Sequence, residues 1–214
     1  MPGSAAPTRR IARFSGTERL AHWLLAVTFF VMLGSGLALY LPDLATLVDR
    51  PTAKAWHIWS ALALPIGLVV LALIGNGRSL ARSAAEIDRF DADDRRFLNP
   101  ARIVTGQPAP PQGRFNGGQK VNTVLTAALL AVLFVTGGLL WLGERDHAYR
   151  FYGTVYVHDW SMFALIVLVA GHLYMAILNP STRHSLRGIT TGEVDRSWAK
   201  AHHAKWVAEE PDEA

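Results

Sequence analysis

Four stretches of the chain carry almost no charged side chains, and they constrain its fold more than any other feature. Only Asp159 is charged within them, and they cover Leu20–Leu41, Ala55–Gly75, Val121–Leu142 and Phe151–Leu178. About 20 apolar residues in a helix cross a hydrocarbon layer of roughly 30 Å. A soluble domain of 214 residues could hardly cover four helices that are apolar on every side. The sequence therefore predicts an all-α membrane protein, a bundle of four transmembrane helices.

Cap and turn signals set the boundaries of the predicted spans and domains. Ser15-Gly-Thr-Glu18 matches a capping box, which starts the first helix near residue 16. The predicted spans lie at about 16–41, 54–75, 119–142 and 151–178. We predict a basic N-terminal segment at 1–14, a transmembrane domain at 15–180 and a tail at 181–214. The connection between the second and third spans is polar and ends in a Pro- and Gly-rich break. We expect it to be a surface loop with a short helix.

The basic residues are distributed unevenly between the two sides of this predicted bundle. Of the 21 Lys and Arg residues, 17 precede the first charge-free stretch, lie between the second and third stretches, or follow the fourth. Lys and Arg near span ends favour the cytoplasmic side of a membrane. We therefore predict that both termini and the polar connection are cytoplasmic. This orientation explains the net charge of +4, so we expect no nucleic acid partner.

Four of the eight histidines lie inside the predicted spans, namely His22, His57, His158 and His172. Ionisable side chains are costly in lipid, face the bundle interior and usually serve a function. The 14 residues between His158 and His172 place both on one helix face, about 21 Å apart along its axis. His57 is predicted at the outer depth of His158, and His22 at the inner depth of His172. The histidines thus form an outer pair and an inner pair.

Two histidines that face each other across a bundle can be the axial ligands of a b-type haem iron. The chain has no cysteine, which excludes disulfides, covalent C-x-x-C-H haem attachment and a cysteine-ligated iron–sulfur cluster. We predict two b-type haems, one held by His57 and His158 and the other by His22 and His172. Two alternatives remain: a haem-free scaffold whose histidines join helices, and a metal transporter. A transporter would need more carboxylates in its spans than Asp159.

Four segments of the chain also resemble a known family. They are RFSGTERLAHWLLA, KAWHIWSAL, RFNGGQKVN and VHDWSMFALIVLVAGHLYMAI. They are similar, in the same order, to the dihaem cytochrome b (gamma) subunits of respiratory formate dehydrogenases. The resemblance implies the same two histidine pairs and a quinone head group at Asn116 and Gly118, with Gln119 as a weaker position. The residues alone favour a plain helix cap and turn at Asn116.

The resemblance also implies a role in a multi-subunit complex of the bacterial inner membrane. It implies that electrons pass from an iron–sulfur beta subunit through the outer and inner haems to menaquinone or ubiquinone. Formate chemistry would belong to a catalytic alpha subunit, and the complex could form a higher oligomer. The alternative electron donor is a hydrogenase or another oxidoreductase. We expect the other four histidines, His147, His184, His202 and His203, to lie at the surface.

Overall fold

The structure, a computed structural model, describes residues 9–210. Its elements in chain order are β1 (Arg10–Ala12), α1 (Gly16–Tyr40), α2 (Arg50–Ile74), α3 (Gly77–Asp88), α4 (Ala92–Leu98), α5 (Pro100–Val104), α6 (Gly117–Gly143), α7 (Thr154–Leu173), α8 (Leu186–Thr190), β2 (Glu193–Asp195), α9 (Arg196–His202) and α10 (Ala204–Glu209). A π-helical turn at Tyr174–Leu178 continues α7. Residues 1–8 and 211–214, parts of the predicted N-terminal segment and tail, lie outside the described residues.

Within residues 9–210, four helices are long and apolar enough to cross a membrane: α1, α2, α6, and α7 with its π-helical turn. Their limits agree with the predicted spans to within about one helical turn, which is close to the usual uncertainty of helix ends. Large apolar side chains on these helices are exposed, including Ile66, Leu73 and Val167. Apolar surface of this extent is typical of contact with lipid. The structure confirms a mostly helical fold with four candidate membrane-spanning helices and adds a small sheet of β1 and β2, which the all-α prediction lacked. The cytoplasmic location of the termini stays a prediction.

The chain divides into two compact units, and residues 15–81 form one of them. In this unit α1 and α2 pack against each other as a helical hairpin, which we call the first hairpin. The predicted capping box starts α1: Ser15 Oγ accepts the Glu18 N–H, and the Glu18 carboxylate accepts the Ser15 N–H at 2.7 Å. The Asp49 carboxylate caps α2 by accepting the Thr52 N–H at 3.0 Å. Each helix of the first hairpin therefore has its own local start signal.

The other unit contains the residues before 15 together with those from 82 onward. Here α6 and α7 pack against each other as the second hairpin. The two ends of the chain also join, because β1 and β2 pair antiparallel with Ile11 opposite Val194. We call β1, β2, α9 and α10 the terminal subdomain. Its buried core consists of Ile11, Val194, Ala199, Trp206 and Val207.

Candidate cofactor-binding site

His57 lies on α2 and contacts α1 within the first hairpin. Its Nδ1 lies 2.9 Å from the Met32 carbonyl oxygen and 3.2 Å from the Ser35 hydroxyl oxygen. Gly36 leaves room for the imidazole, since a Cβ at this position would lie 3.2 Å from His57 Cε1. The ring is therefore held through Nδ1 and lies close to the backbone of the neighbouring helix.

His158 lies on α7 and has a matching environment within the second hairpin. Its Nδ1 lies 2.9 Å from Thr136 Oγ1 on α6. A Cβ at Gly137 would lie 3.3 Å from His158 Cε1, so a glycine again makes room for the ring. Both histidines of the predicted outer pair are thus fixed by a hydroxyl residue and the glycine that follows it.

His22 and His172 occupy the positions on their helices that the sequence predicts. His22 lies in the second turn of α1, where its ring meets the Trp23 ring edge-on at a centroid distance of 5.6 Å. His172 shares α7 with His158 and lies just before the π-helical turn, where the Asn179 N–H donates to the Tyr174 carbonyl at 2.9 Å. Turns of this kind often occur at functional sites. Each predicted pair takes one histidine from each unit, and this pairing stays a prediction.

Asn116 is the N-cap of α6, as the plain interpretation of its sequence predicts. Its Oδ1 accepts the Gln119 N–H at 2.9 Å, and Gln119 Oε1 accepts the Asn116 N–H at 3.0 Å. The two amide oxygens are therefore used within the capping box, and the two amide NH₂ groups are the donors that these side chains can offer a ligand. Gly118 lies in the first turn of α6, where backbone N–H groups have no partner within the helix.

A buried ion pair fixes the same end of α6 to α4. Lys120 Nζ lies 2.6 Å from Asp94 Oδ2, and the two side chains are only 10% and 3% exposed. The Gly117 N–H donates to Gln112 Oε1 at 2.8 Å. A Cβ at Gly117 would lie 2.7 Å from the Asp94 carbonyl oxygen, so this close approach requires glycine. The start of α6 is therefore held by residues from the polar connection as well as by its own cap.

The expectation that His203 lies at the surface is wrong. It is 2% exposed, its Nδ1–H donates to the Gly113 carbonyl at 2.7 Å, and its Nε2 accepts from Arg13 Nη2 at 3.1 Å. Burial, with a smaller effect of Arg13, lowers the pKa of His203 to about 3. The pKa of Arg13 also falls, to about 9, because of its burial and of nearby Arg114. The sequence did contain a signal for a folded core around His203, namely the two tryptophans of the tail, Trp198 and Trp206.

The other three histidines outside the spans agree better with the expected surface location. His147 is exposed, and His184 and His202 are partly exposed. Within residues 9–210, no three His, Asp or Glu side chains come together as a cluster that could hold a metal ion. The histidines inside the spans are imidazoles of the kind that ligate haem iron, and His57 and His158 are each held through Nδ1 within their own hairpin.

Apolar spanning helices with histidines anchored inside them are typical of membrane cytochromes b. The chain belongs to the prokaryotic cytochrome b561 family, whose model matches residues 13–192. It is 27% identical over 210 residues to the formate dehydrogenase cytochrome b556 subunit of Haemophilus influenzae, which covers 94% of this chain and 84% of that protein. A b-type haem and a membrane role in electron transfer follow from the family.

Two relatives from Escherichia coli K12 have similar names. The cytochrome b556(fdo) subunit of formate dehydrogenase is 26% identical over 208 residues, which cover 93% of this chain and 92% of the relative. The cytochrome b556(Fdn) subunit of the nitrate-inducible formate dehydrogenase is 24% identical over 214 residues, which cover 94% and 92%. The family resemblance predicted from the sequence motifs is therefore confirmed.

Proposed function

We propose that this chain is the membrane-anchoring, dihaem cytochrome b subunit of a formate dehydrogenase-type complex in the bacterial inner membrane. The observation that carries the proposal is the anchoring of one spanning histidine in each hairpin through Nδ1. This anchoring leaves Nε2 as the nitrogen suited to iron. The proposal keeps the predicted organisation, with a basic segment at 1–14, the dihaem domain at 15–180, a tail at 181–214 and both termini cytoplasmic.

We assign His57 and His158 to the outer haem iron, and His22 and His172 to the inner one. The assignment rests on the depths of the four residues in their spans and on the family resemblance. Haem iron held by two histidines would have no open position and would supply one-electron transfer. The chain's part is to hold the imidazoles in place and to exclude water from the ligand atoms.

We assign the quinone head group to the start of α6. The Asn116 NH₂ and the Gly118 N–H can each donate to a quinone carbonyl, with the Gln119 NH₂ as a weaker candidate. The N-terminus of a helix also favours the negative charge that develops on a reduced quinone oxygen. The acceptor is menaquinone or ubiquinone, and its protons come from the cytoplasm in this topology.

The relatives' names support formate dehydrogenase as the complex. An iron–sulfur beta subunit would then supply electrons on the outer side, and a catalytic alpha subunit would carry out formate oxidation. A hydrogenase or another oxidoreductase is the alternative donor. In the purified complex, formate should reduce the haems and hydrogen should not. Reduction by hydrogen alone would contradict the assignment of the donor.

A reduced-minus-oxidised spectrum with haem quantification tests the proposal. The wild-type protein should contain two b haems, and His172→Ala should lose one, because it removes an axial ligand. His147→Ala is the matched control, since His147 is exposed and lies outside the spans. A folded wild-type protein that takes up no haem under haem-replete expression would contradict the proposal and favour a haem-free scaffold or a transporter.

The quinone assignment needs a variant that keeps the helix cap. Asn116→Ser retains a capping oxygen but removes the NH₂ donor. We expect quinone reduction to fall about tenfold, equivalent to about 1.4 kcal/mol, while haem reduction by the donor is unchanged. The comparison is Thr123→Ser, a change four residues beyond the box at a hydroxyl bonded to the Gln119 carbonyl. Unchanged quinone kinetics in Asn116→Ser would remove Asn116 from the site.

A further inference from the structure

The two hairpins contain the same three-residue arrangement. A hydroxyl residue and the following glycine lie on the first helix of each hairpin, and a histidine lies on the second helix. The members are Ser35, Gly36 and His57 in one hairpin, and Thr136, Gly137 and His158 in the other. The hydroxyl residue and the histidine are 22 residues apart in both. Such agreement indicates one structural device used twice.

We propose that Ser35 and Thr136 are positioning residues that fix the tautomer and the orientation of His57 and His158 for binding haem iron. The inference rests on the proposed function in one respect, that these histidines ligate haem. It adds two residues, Ser35 and Thr136, that touch neither the iron nor the quinone. It also assigns which partner donates in the hydrogen bond between each hydroxyl group and its histidine.

The direction of each hydroxyl follows from its contact with its own helix. Thr136 Oγ1 donates to the Val132 carbonyl at 2.7 Å. Ser35 Oγ donates in the same way to the Val31 carbonyl at 2.6 Å. A hydroxyl has one proton to donate and two lone pairs to accept with. Each oxygen therefore accepts from the imidazole, which requires the proton to be on Nδ1 of the histidine.

The Met32 carbonyl supports the same tautomer independently. It lies 2.9 Å from His57 Nδ1, and a carbonyl oxygen can only accept a hydrogen bond. With the proton on Nδ1, the lone pair of the neutral ring is on Nε2, which is the form that ligates a metal. The hydrogen bonds thus prepare the ligand atom without contacting it.

The glycines fix the plane of each ring. A Cβ at Gly36 or Gly137 would lie 3.2 or 3.3 Å from the histidine Cε1, closer than ordinary van der Waals contact. The ring therefore lies against the glycine while its Nδ1 is bonded to the hydroxyl one residue earlier. The imidazole contacts two adjacent residues, so it has little freedom to rotate. A histidine that ligates the iron of a rigid macrocycle needs such a fixed orientation.

A hydrogen bond from Nδ1–H increases the basicity of the imidazole and stabilises the oxidised iron. Loss of the Thr136 hydroxyl should therefore raise the midpoint potential of the outer haem. Loss of the Ser35 hydroxyl should have a smaller effect, because the Met32 carbonyl continues to accept from His57. This order of effects would not result from a general loss of stability.

The test compares Thr136→Val, Thr136→Ser and Thr28→Val by potentiometric titration and by EPR of the oxidised haems. Thr28 is the matched control: it is 7% exposed, compared with 8% for Thr136, and its hydroxyl donates to the Leu24 carbonyl at 2.7 Å. We expect Thr136→Val to shift the outer haem's redox equilibrium about tenfold, or about 59 mV upward. Thr136→Ser should restore the wild-type potential and EPR signal, and Thr28→Val should leave both unchanged.

Loss of the outer haem in Thr136→Val, with retention in Thr136→Ser, would also support the inference. A two-haem Thr136→Val protein with the wild-type potential and EPR signal would overturn it and leave the proposed function intact. An equal shift in Thr28→Val would overturn it as well. A wild-type protein without an outer haem would overturn the proposed function itself, so the two failures are distinguishable.

Discussion

The first and second hairpins hold their histidines in the same way, but their helices begin differently. His57 and His158 each meet a hydroxyl residue and a glycine on the neighbouring helix. The helices of the first hairpin start with caps at Ser15 and Asp49. Two hydroxyl hydrogen bonds, between Ser15 and Ser79 and from the Asn76 N–H to Thr17, add to the start of α1. The start of α6 depends in addition on the polar connection, through the buried pair of Lys120 and Asp94. The histidine environment is thus a local property of each hairpin, whereas the proposed quinone end depends on distant residues.

The largest expected effect comes from filling the space beside the histidine rings. Gly36→Val and Gly137→Val should each abolish binding of the outer haem and leave the inner haem bound, because the new Cβ would lie 3.2 or 3.3 Å from the histidine Cε1 and the valine would push the imidazole out of position. The measurement is haem content together with the reduced spectrum. Gly34→Ala is the control, since a Cβ at Gly34 meets no atom within 4 Å. Full outer-haem occupancy in both valine variants would show that the resemblance between the two hairpins has no role in haem binding.

A smaller effect is expected when the buried ion pair at the start of α6, in the second hairpin, is broken. Asp94→Asn leaves Lys120 as a buried charge without its carboxylate, and removal of one partner of such a pair typically costs about 3–5 kcal/mol. We expect a lower thermal unfolding temperature and slower quinone reduction. The double variant Lys120→Met with Asp94→Leu should recover most of the stability, because it leaves no uncompensated charge. Equal stability of Asp94→Asn and wild type would mean that the ion pair does not stabilise the start of α6.

The smallest effect concerns the terminal subdomain and its pH dependence. The pKa of His203 is 6.5 when unperturbed and about 3 in the folded protein, so the unfolded state binds more protons between these values. The stability that the neutral ring provides is complete above pH 6.5 and is lost as the pH falls towards 3. Amide hydrogen exchange at Ile11 and Val194, corrected for intrinsic rates, should therefore quicken between pH 7 and pH 5.

His203→Gln, which has no titrating ring, should show much less of this acid sensitivity than wild type. The haem spectrum should change little over the same pH range, because the spanning hairpins do not contain His203. An identical pH dependence in His203→Gln and wild type would show that another group controls the terminal subdomain.

The spans could be predicted from the sequence because each helix follows from the composition of its own segment. The absence of charge over about 20 positions defined the four helices, and Ser15 with Glu18 defined the start of α1. The places of the four spanning histidines on their helices followed from the same signal. Nothing beyond local composition and helical geometry was required.

Contacts between distant residues could not be predicted in this way. Lys120 and Asp94 are 26 positions apart, and His203 and Gly113 are 90 apart, so only the folded chain brings them together. The expectation for His203 was wrong because a charged tail with few apolar residues is typical of a solvated segment. The equal spacing of Ser35 from His57 and of Thr136 from His158 was visible in the sequence, but its meaning depends on the contacts across each hairpin.

We propose that one haem takes one histidine from each hairpin. A potentiometric titration of His57→Ala and His158→Ala, each compared with wild type and with His147→Ala, tests it most directly. If one haem is shared between the hairpins, both variants should lose the same haem and keep one component of identical potential and spectrum. Loss of different haems in the two variants, or retention of two haems in both, would contradict it.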